Sequence, residues 1–151
     1  MPIIFAGIAG KQDFSKAISN HHKRRVIMFE AVFKEPFKTE MTIGGHKVCT
    51  DLPENMGGKA SGPTPVELML SALLSCSATS VFFYLAKHKL SAEGIKVSLV
   101  PSFENEMVSR AEITISLPAS FPDDKKAGLL AFAKHCKVGG HLKFPYEVKI
   151  A

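Results

Sequence analysis

Three side chains able to do thiol chemistry, Cys49, Cys76 and Cys136, are spread over 151 residues. A thiolate can attack a peroxide oxygen, and a second thiol can condense with the resulting sulfenic acid to give a disulfide. Sequence distance alone does not bring Cys76 and Cys136 together. Cys76 stands in an uncharged run, residues 68–86, where a cysteine taken by itself reads as a small buried hydrophobe. Cys136 precedes the break Gly139-Gly140. If it opens a short turn, its sulfur meets unpaired backbone amides and Lys137, both of which favour thiolate. Cys49 falls on an alternating segment and reads as an inward packing residue. His135, Cys136 and His141 are close in sequence, but neither a paired C-x-x-C nor an H-x-x-x-H spacing is present, so no metal is expected. No Walker, dinucleotide or Gly-x-Ser-x-Gly pattern occurs, which argues against a nucleotide cofactor and against serine hydrolysis.

The elements that must position these thiols can be read from periodicity. Residues 26–34 and 37–43 read as strands, the second alternating Phe37, Thr39, Met41, Ile43 on one face. Gly44-Gly45 offers a two-residue hairpin into residues 46–50, which completes a three-stranded antiparallel meander. Residues 51–65 are rich in Gly and Pro, a loop long enough to be functional. Thr64, Pro65 and Glu67 then form the pattern of a capping box that opens a helix running to about Lys89. Two more antiparallel strands follow, through Ile95, Val97, Leu99 and through Ala111, Ile113, Ile115, Leu117. Ser120 is expected to cap a second helix with Asp123 and Asp124 in its first turn and Lys134 and His135 in its last. A final strand alternates Phe144, Tyr146, Val148, Ile150. Strands, helix, strands, helix, strand is an α+β order with antiparallel sheet.

Composition bounds the function. The 46% apolar and 22% charged residues are those of a globular protein rather than a disordered one. The length is that of one domain, residues 26–151, preceded by a basic arm, residues 1–25. That arm holds five basic side chains against one acidic, whereas the remainder holds fourteen against thirteen. Charge so confined reads as a solvated arm, and nucleic acid is not an expected partner. The apolar segment at residues 3–9 lacks the preceding basic region of a signal peptide. Three cysteines are too few and too odd for a disulfide scaffold, so a reducing, cytoplasmic setting is expected. The uncharged 19-residue run approaches bilayer-spanning length. Its many Ser and Thr residues, and the amphipathic strands after it, favour a helix buried on nearly all sides of a soluble core over a membrane span. So much apolar surface in so small a domain needs a second copy for cover, hence an expected homodimer with this helix near the interface.

The run Asp51-Leu52-Pro53, Gly57-Gly58 and Gly62-Pro63-Thr64-Pro65-Val66-Glu67-Leu68 leads into Ser71-Ala72-Leu73-Leu74-Ser75-Cys76. With the later Cys136-Lys137-Val138, it resembles the OsmC/Ohr family over roughly residues 26–150. The resemblance implies an intertwined homodimer in which antiparallel sheets enclose two long central helices, with active sites at the subunit interface. It implies Cys76 as peroxidatic thiol, Cys136 as resolving thiol, a small hydroperoxide as substrate and an external dithiol as reductant, with no cofactor. The peroxidase branches carry a Glu ten residues before the first Cys and an Arg from the N-terminal strands. Here Val66 holds that place, Glu67 is the nearest carboxylate, and residues 26–50 contain no Arg. The pattern is therefore similar to the broader OsmC-like branch, with Lys34, Lys38 or Arg110 as possible replacements for the cation. The expected function is thiol-dependent reduction of organic or inorganic hydroperoxides in oxidative-stress defence, with Cys76, Cys136 and Glu67 as its residues. The alternative is a binding protein of the same fold for a small apolar or electrophilic ligand, its pocket lined by Phe82, Phe83 or Met69.

Overall fold

The computed structural model describes residues 29–151; the basic arm and the first residues of the expected first strand lie outside the described residues. The order is β1 (Phe29–Glu35), β2 (Lys38–Ile43), β3 (His46–Thr50), α1 (Pro65–His88), β4 (Lys96–Glu104), β5 (Met107–Ser116), α2 (Asp123–Ala133) and β6 (Tyr146–Ile150), with short 3-10 turns at Glu54–Met56 and Gly139–His141. The class is α+β, as the element order predicts.

Strands β1, β2 and β3 form the expected antiparallel meander, with Ile43 opposite His46 across the hairpin. Gly44 and Gly45 both take positive φ, 57° and 91°, the conformation a two-residue turn demands to match strand twist. Phe37 departs from expectation. It sits in the β1–β2 turn at φ 64° with its ring exposed, and β2 begins only at Lys38. Pro36 interrupts the alternation just before it, so the apolar period continued one residue too far into the turn.

The second sheet has the order β4-β5-β6. Its β4–β5 pairing is antiparallel, but β6 lies parallel to β5 with Val148 opposite Ile113, which corrects the all-antiparallel expectation. The chain reaches β6 by a crossover through α2, and a crossover returns the next strand in the same direction. Ala111, Ile113 and Ile115 have no solvent exposure, and Leu73, Val81, Tyr84 and Leu85 of α1, Leu129 and Ala133 of α2, and Val148 of β6 close the core over them. The Tyr84 hydroxyl donates to the Lys125 carbonyl at 3.1 Å, tying the two helices together.

Helix α1 starts as the sequence predicts. Thr64 accepts from the Glu67 N–H at 3.2 Å while the Glu67 carboxylate accepts from the Thr64 N–H at 2.7 Å. The helix is long and apolar enough to cross a membrane by length and composition. Its buried positions, Leu70, Leu73, Ser77, Ser80, Val81, Tyr84 and Leu85, form one stripe packed on this chain's own core. The opposite face, including Phe82, is open within the single chain, and Val66 in the first turn is exposed as well, so burial on nearly all sides does not hold for one copy. Helix α2 also starts later than expected: Pro122 is its N-cap without a side-chain bond, and Ser120 lies in the preceding turn.

Candidate active site

The Gly-Pro loop ahead of α1 is built on one carboxylate. Asp51, almost wholly buried, accepts from the Leu52 N–H (2.9 Å), the Lys59 N–H (3.3 Å), and both the N–H (3.0 Å) and hydroxyl (2.8 Å) of Ser61. These bonds, led by those from Ser61, hold its carboxyl below the usual carboxylate range. The loop thereby delivers Thr64 to the start of α1, and the helix then carries Cys76 three turns into the fold.

From the other side, α2 ends at Ala133, and Cys136 follows in the turn that leads to Gly139–His141. The 3-10 turn packs its first residue beneath the Tyr146 ring; a side chain at Gly139 would collide with that ring. In this turn the Gly139 N–H donates to the Cys136 sulfur, 3.4 Å away. The expectation that backbone amide meets this thiol is met by that one N–H. The Cys136 thiol in turn points at the Leu73 carbonyl of α1, 4.0 Å off.

Two cysteines 60 residues apart in sequence therefore meet. Both are free thiols, Cys136 buried and Cys76 half-buried. The Cys136 thiol is pushed up, first by burial and then by its side-chain hydrogen bond with Cys76, while the Gly139 N–H and the Ser77 hydroxyl pull the other way. A thiol so placed keeps its proton and offers it to the neighbouring sulfur.

Glu67 is not brought to this pair. Its carboxylate is spent on the capping box, and nine residues of helix, about 13 Å of rise, separate it from Cys76. The hydrogen bonds from Thr64, its backbone N–H foremost, hold the Glu67 carboxyl below its ordinary range, as befits an acceptor at a helix N-terminus. The cations considered as substitutes for the missing Arg are engaged elsewhere: Lys34 with Glu40, Lys38 with Glu35, and Arg110 with Glu147. Cys49 faces Glu40 across the β2–β3 ladder, away from the other two thiols in sequence and in sheet. Among the described residues no three His, Cys, Asp or Glu side chains converge as metal ligands.

An open cavity of about 550 Å³ gives onto Cys136, lined by Lys134, His135, Lys137, Gly139, Gly140 and Tyr146. Phe82, Phe83 and Met69 do not line this cavity, whose charged lining is basic. Another cavity, about 490 Å³, lies between Lys89–Gly94 and Pro118–Pro122, away from the thiols. Two neighbours of the site escape sequence reasoning. Tyr146 reads only as one apolar step of an alternating strand, yet its hydroxyl is pushed up, first by burial and then by its nearness to the ionisable thiols of Cys136 and Cys76. Ser77 is masked by the other serines of its helix; the signal was its place one turn after Leu73 on the buried stripe.

Comparison with known proteins places this arrangement. A family model described as OsmC-like protein matches residues 58–151, more than half of the chain. No match is found among curated proteins. Among solved structures, an OsmC-like protein from Mycoplasma pneumoniae is similar with a TM-score of 0.69 at 13% identity, covering 84% of this chain and 96% of that one. A Psychrobacter arcticus protein, provisionally described as an osmotic stress induced and detoxification response protein, gives 0.71 at 18% identity, over 86% and 99% of the two chains. An organic hydroperoxide resistance protein OsmC from Legionella pneumophila gives 0.57 at 14% identity, over 85% and 99%. These likenesses establish the fold, and with the family match they lead to one statement: the chain belongs to the OsmC-like protein family.

Proposed function

We propose that this protein reduces hydroperoxides, organic ones foremost, through Cys76 and Cys136, as part of oxidative-stress defence in the cytoplasm. The observation that carries the reading is the meeting of Cys76 with Cys136, whose thiol is held protonated beside it. In the first step the Cys76 thiolate attacks the terminal oxygen of R–O–O–H. The O–O bond breaks, the alkoxide leaves as alcohol after taking a proton, and Cys76 becomes a sulfenic acid. Cys136 then condenses with it to a disulfide, releasing water. An external dithiol returns both thiols by exchange. The Legionella relative's description as a hydroperoxide resistance protein supports this choice of substrate.

The active unit of this proposal is a homodimer. The β1–β3 sheet makes only marginal contact with the helices and the second sheet of its own chain. Phe29 and Phe33 on β1 are 70% and 89% exposed. Large apolar side chains grouped in water on one strand mark an interaction surface, and a second copy supplies the missing layer. Light scattering at micromolar concentration should give twice the 16.4 kDa chain mass; a monomer would remove this part of the proposal.

One observation favours a second reading. With Lys34, Lys38 and Arg110 paired to carboxylates elsewhere, the fold would serve as a binding protein for a small apolar or electrophilic ligand, without peroxidase chemistry. Peptide mapping of the reduced protein after brief exposure to stoichiometric cumene hydroperoxide, beside hydrogen peroxide and a no-oxidant control, separates the two. Rapid and selective formation of a Cys76–Cys136 disulfide supports the peroxidase. Unmodified thiols, or slow oxidation that includes Cys49, support the binding protein.

A further inference from the structure

Ser77 has no solvent exposure, and its hydroxyl closes no hydrogen bond of regular geometry among the described residues. Its neighbours on α1 behave otherwise: the Thr79 hydroxyl donates to the Ser75 carbonyl at 2.8 Å and the Ser80 hydroxyl to the Cys76 carbonyl at 3.2 Å. A buried hydroxyl without a partner is a cost to folding, and a helix position that wanted only packing would be better filled by Ala. The location supplies a reason for it. Ser77 follows Leu73 by one helical turn, and the Leu73 carbonyl is the atom toward which the Cys136 thiol points. The hydroxyl therefore lies beside the Cys136 sulfur, where, like the Gly139 N–H, it is a neighbour that favours the anion.

We propose that Ser77 stabilises the resolving thiolate, donating its hydroxyl hydrogen to the Cys136 sulfur as that sulfur gives up its proton and attacks Cys76. The role rests on the peroxidase reading above and concerns its second step. In that step the Cys136 thiolate forms the S–S bond to the sulfur of Cys76–S–OH, and the S–O bond breaks. The departing hydroxide takes up the proton that Cys136 has shed and leaves as water. The Cys136 sulfur is oxidised, the Cys76 sulfur is reduced, and Ser77 keeps its own proton throughout. The arrangement answers a need the site creates: burial keeps Cys136 protonated while Cys76 reacts, and two donors, one from the backbone and one from Ser77, then make its ionisation attainable.

The test uses the full chain with Ser77→Ala. In a Cys76→Ala background with cysteine labelled at Cβ with carbon-13, the Cys136 resonance is titrated with and without Ser77. Cys136 should ionise at higher pH when the hydroxyl is gone; an unchanged titration overturns the proposal, whatever peroxide does. In the protein with both thiols, one equivalent of cumene hydroperoxide should oxidise Cys76 at the same rate in Ser77→Ala as in wild type. Disulfide formation should then slow on the order of tenfold, the size of a lost charge-assisted hydrogen bond, with the sulfenic acid trapped by dimedone in the interval. Equal slowing of both steps together with a lower Tm would mean that Ser77 only packs, and would overturn it. If wild type forms no disulfide with hydroperoxide, the peroxidase reading fails on its own while the titration still decides the role of Ser77.

Discussion

The backbone N–H of Gly139 points at the sulfur of Cys136 from 3.4 Å, while the Tyr146 ring occupies the space where a Gly139 side chain would be. Gly139→Ala therefore cannot keep both the turn and the ring in place. Overpacking of this kind costs about 1–3 kcal/mol. The variant should melt at lower temperature and form the Cys76–Cys136 disulfide more slowly. A wild-type Tm with a wild-type rate would show that the turn is free to relax.

The two thiols should divide their labour. Cys76→Ser is expected to abolish hydroperoxide consumption, whereas Cys136→Ser should allow one turnover and stall at the sulfenic acid, which dimedone labelling and intact mass would reveal. Equal residual activity in both variants would sink this assignment.

The capping box separates a structural from a chemical use of Glu67. Thr64→Ala removes the acceptor for the Glu67 N–H and should cost about 1 kcal/mol of stability. Glu67→Gln keeps an oxygen for the Thr64 N–H, so it should retain most of the stability and a near-wild-type rate of peroxide consumption. A large loss of rate in Glu67→Gln with an unchanged Tm would mean that the carboxylate reaches reacting atoms after all.

Acid should loosen the loop before α1. The Asp51 carboxyl is held below its ordinary value by hydrogen bonds, those from Ser61 foremost. A group with a depressed folded pKa contributes stability that is present above its unfolded value, about 4, and is lost as pH falls through the folded one. Tm should therefore decline below about pH 4, and Asp51→Asn, which cannot accept all four bonds, should lower the Tm at neutral pH and flatten that decline. A variant melting curve parallel to wild type at every pH would exclude Asp51 as the anchor.

Ser77→Ala offers a complementary reading of stability. Removing a buried hydroxyl without a partner should leave the fold as stable as before or raise stability by about 1 kcal/mol, as thermal melts would show. A gain in stability joined to a slower second step would be a trade of fold for chemistry.

Where one local rule decided the structure, the sequence was legible. The capping box at Thr64–Glu67 and the Gly44-Gly45 hairpin are contained within a few residues, and both are formed as read. The alternation at Ala111, Ile113 and Ile115 named the buried face of β5 correctly. What escaped depends on the route of the chain. Whether β6 runs with or against β5 is set by the crossover through α2, which alternation in residues 144–150 does not encode. The meeting of Cys76 and Cys136 was available only through family resemblance, because it arises from packing α1 against the turn after α2. Ser77 was invisible for a related reason, since one serine among several on a helix read as buried on nearly all sides is not singled out until the stripe Leu73, Ser77, Ser80, Tyr84 is seen.

The parallel pairing of β6 with β5 also sets a timetable. During synthesis from the N-terminus, Cys76 leaves the ribosome well before α2, the Gly139 turn and the Tyr146 ring that seat Cys136. Until β6 docks beside β5, the growing chain carries Cys76 while Cys136, its proposed resolving partner, has no fixed place, and under the proposed mechanism a peroxide met at that stage would leave Cys76 at the sulfenic acid. Under the proposed mechanism, completing the sheet is thus also the act that arms the pair, so that folding and competence to survive oxidation would arrive together.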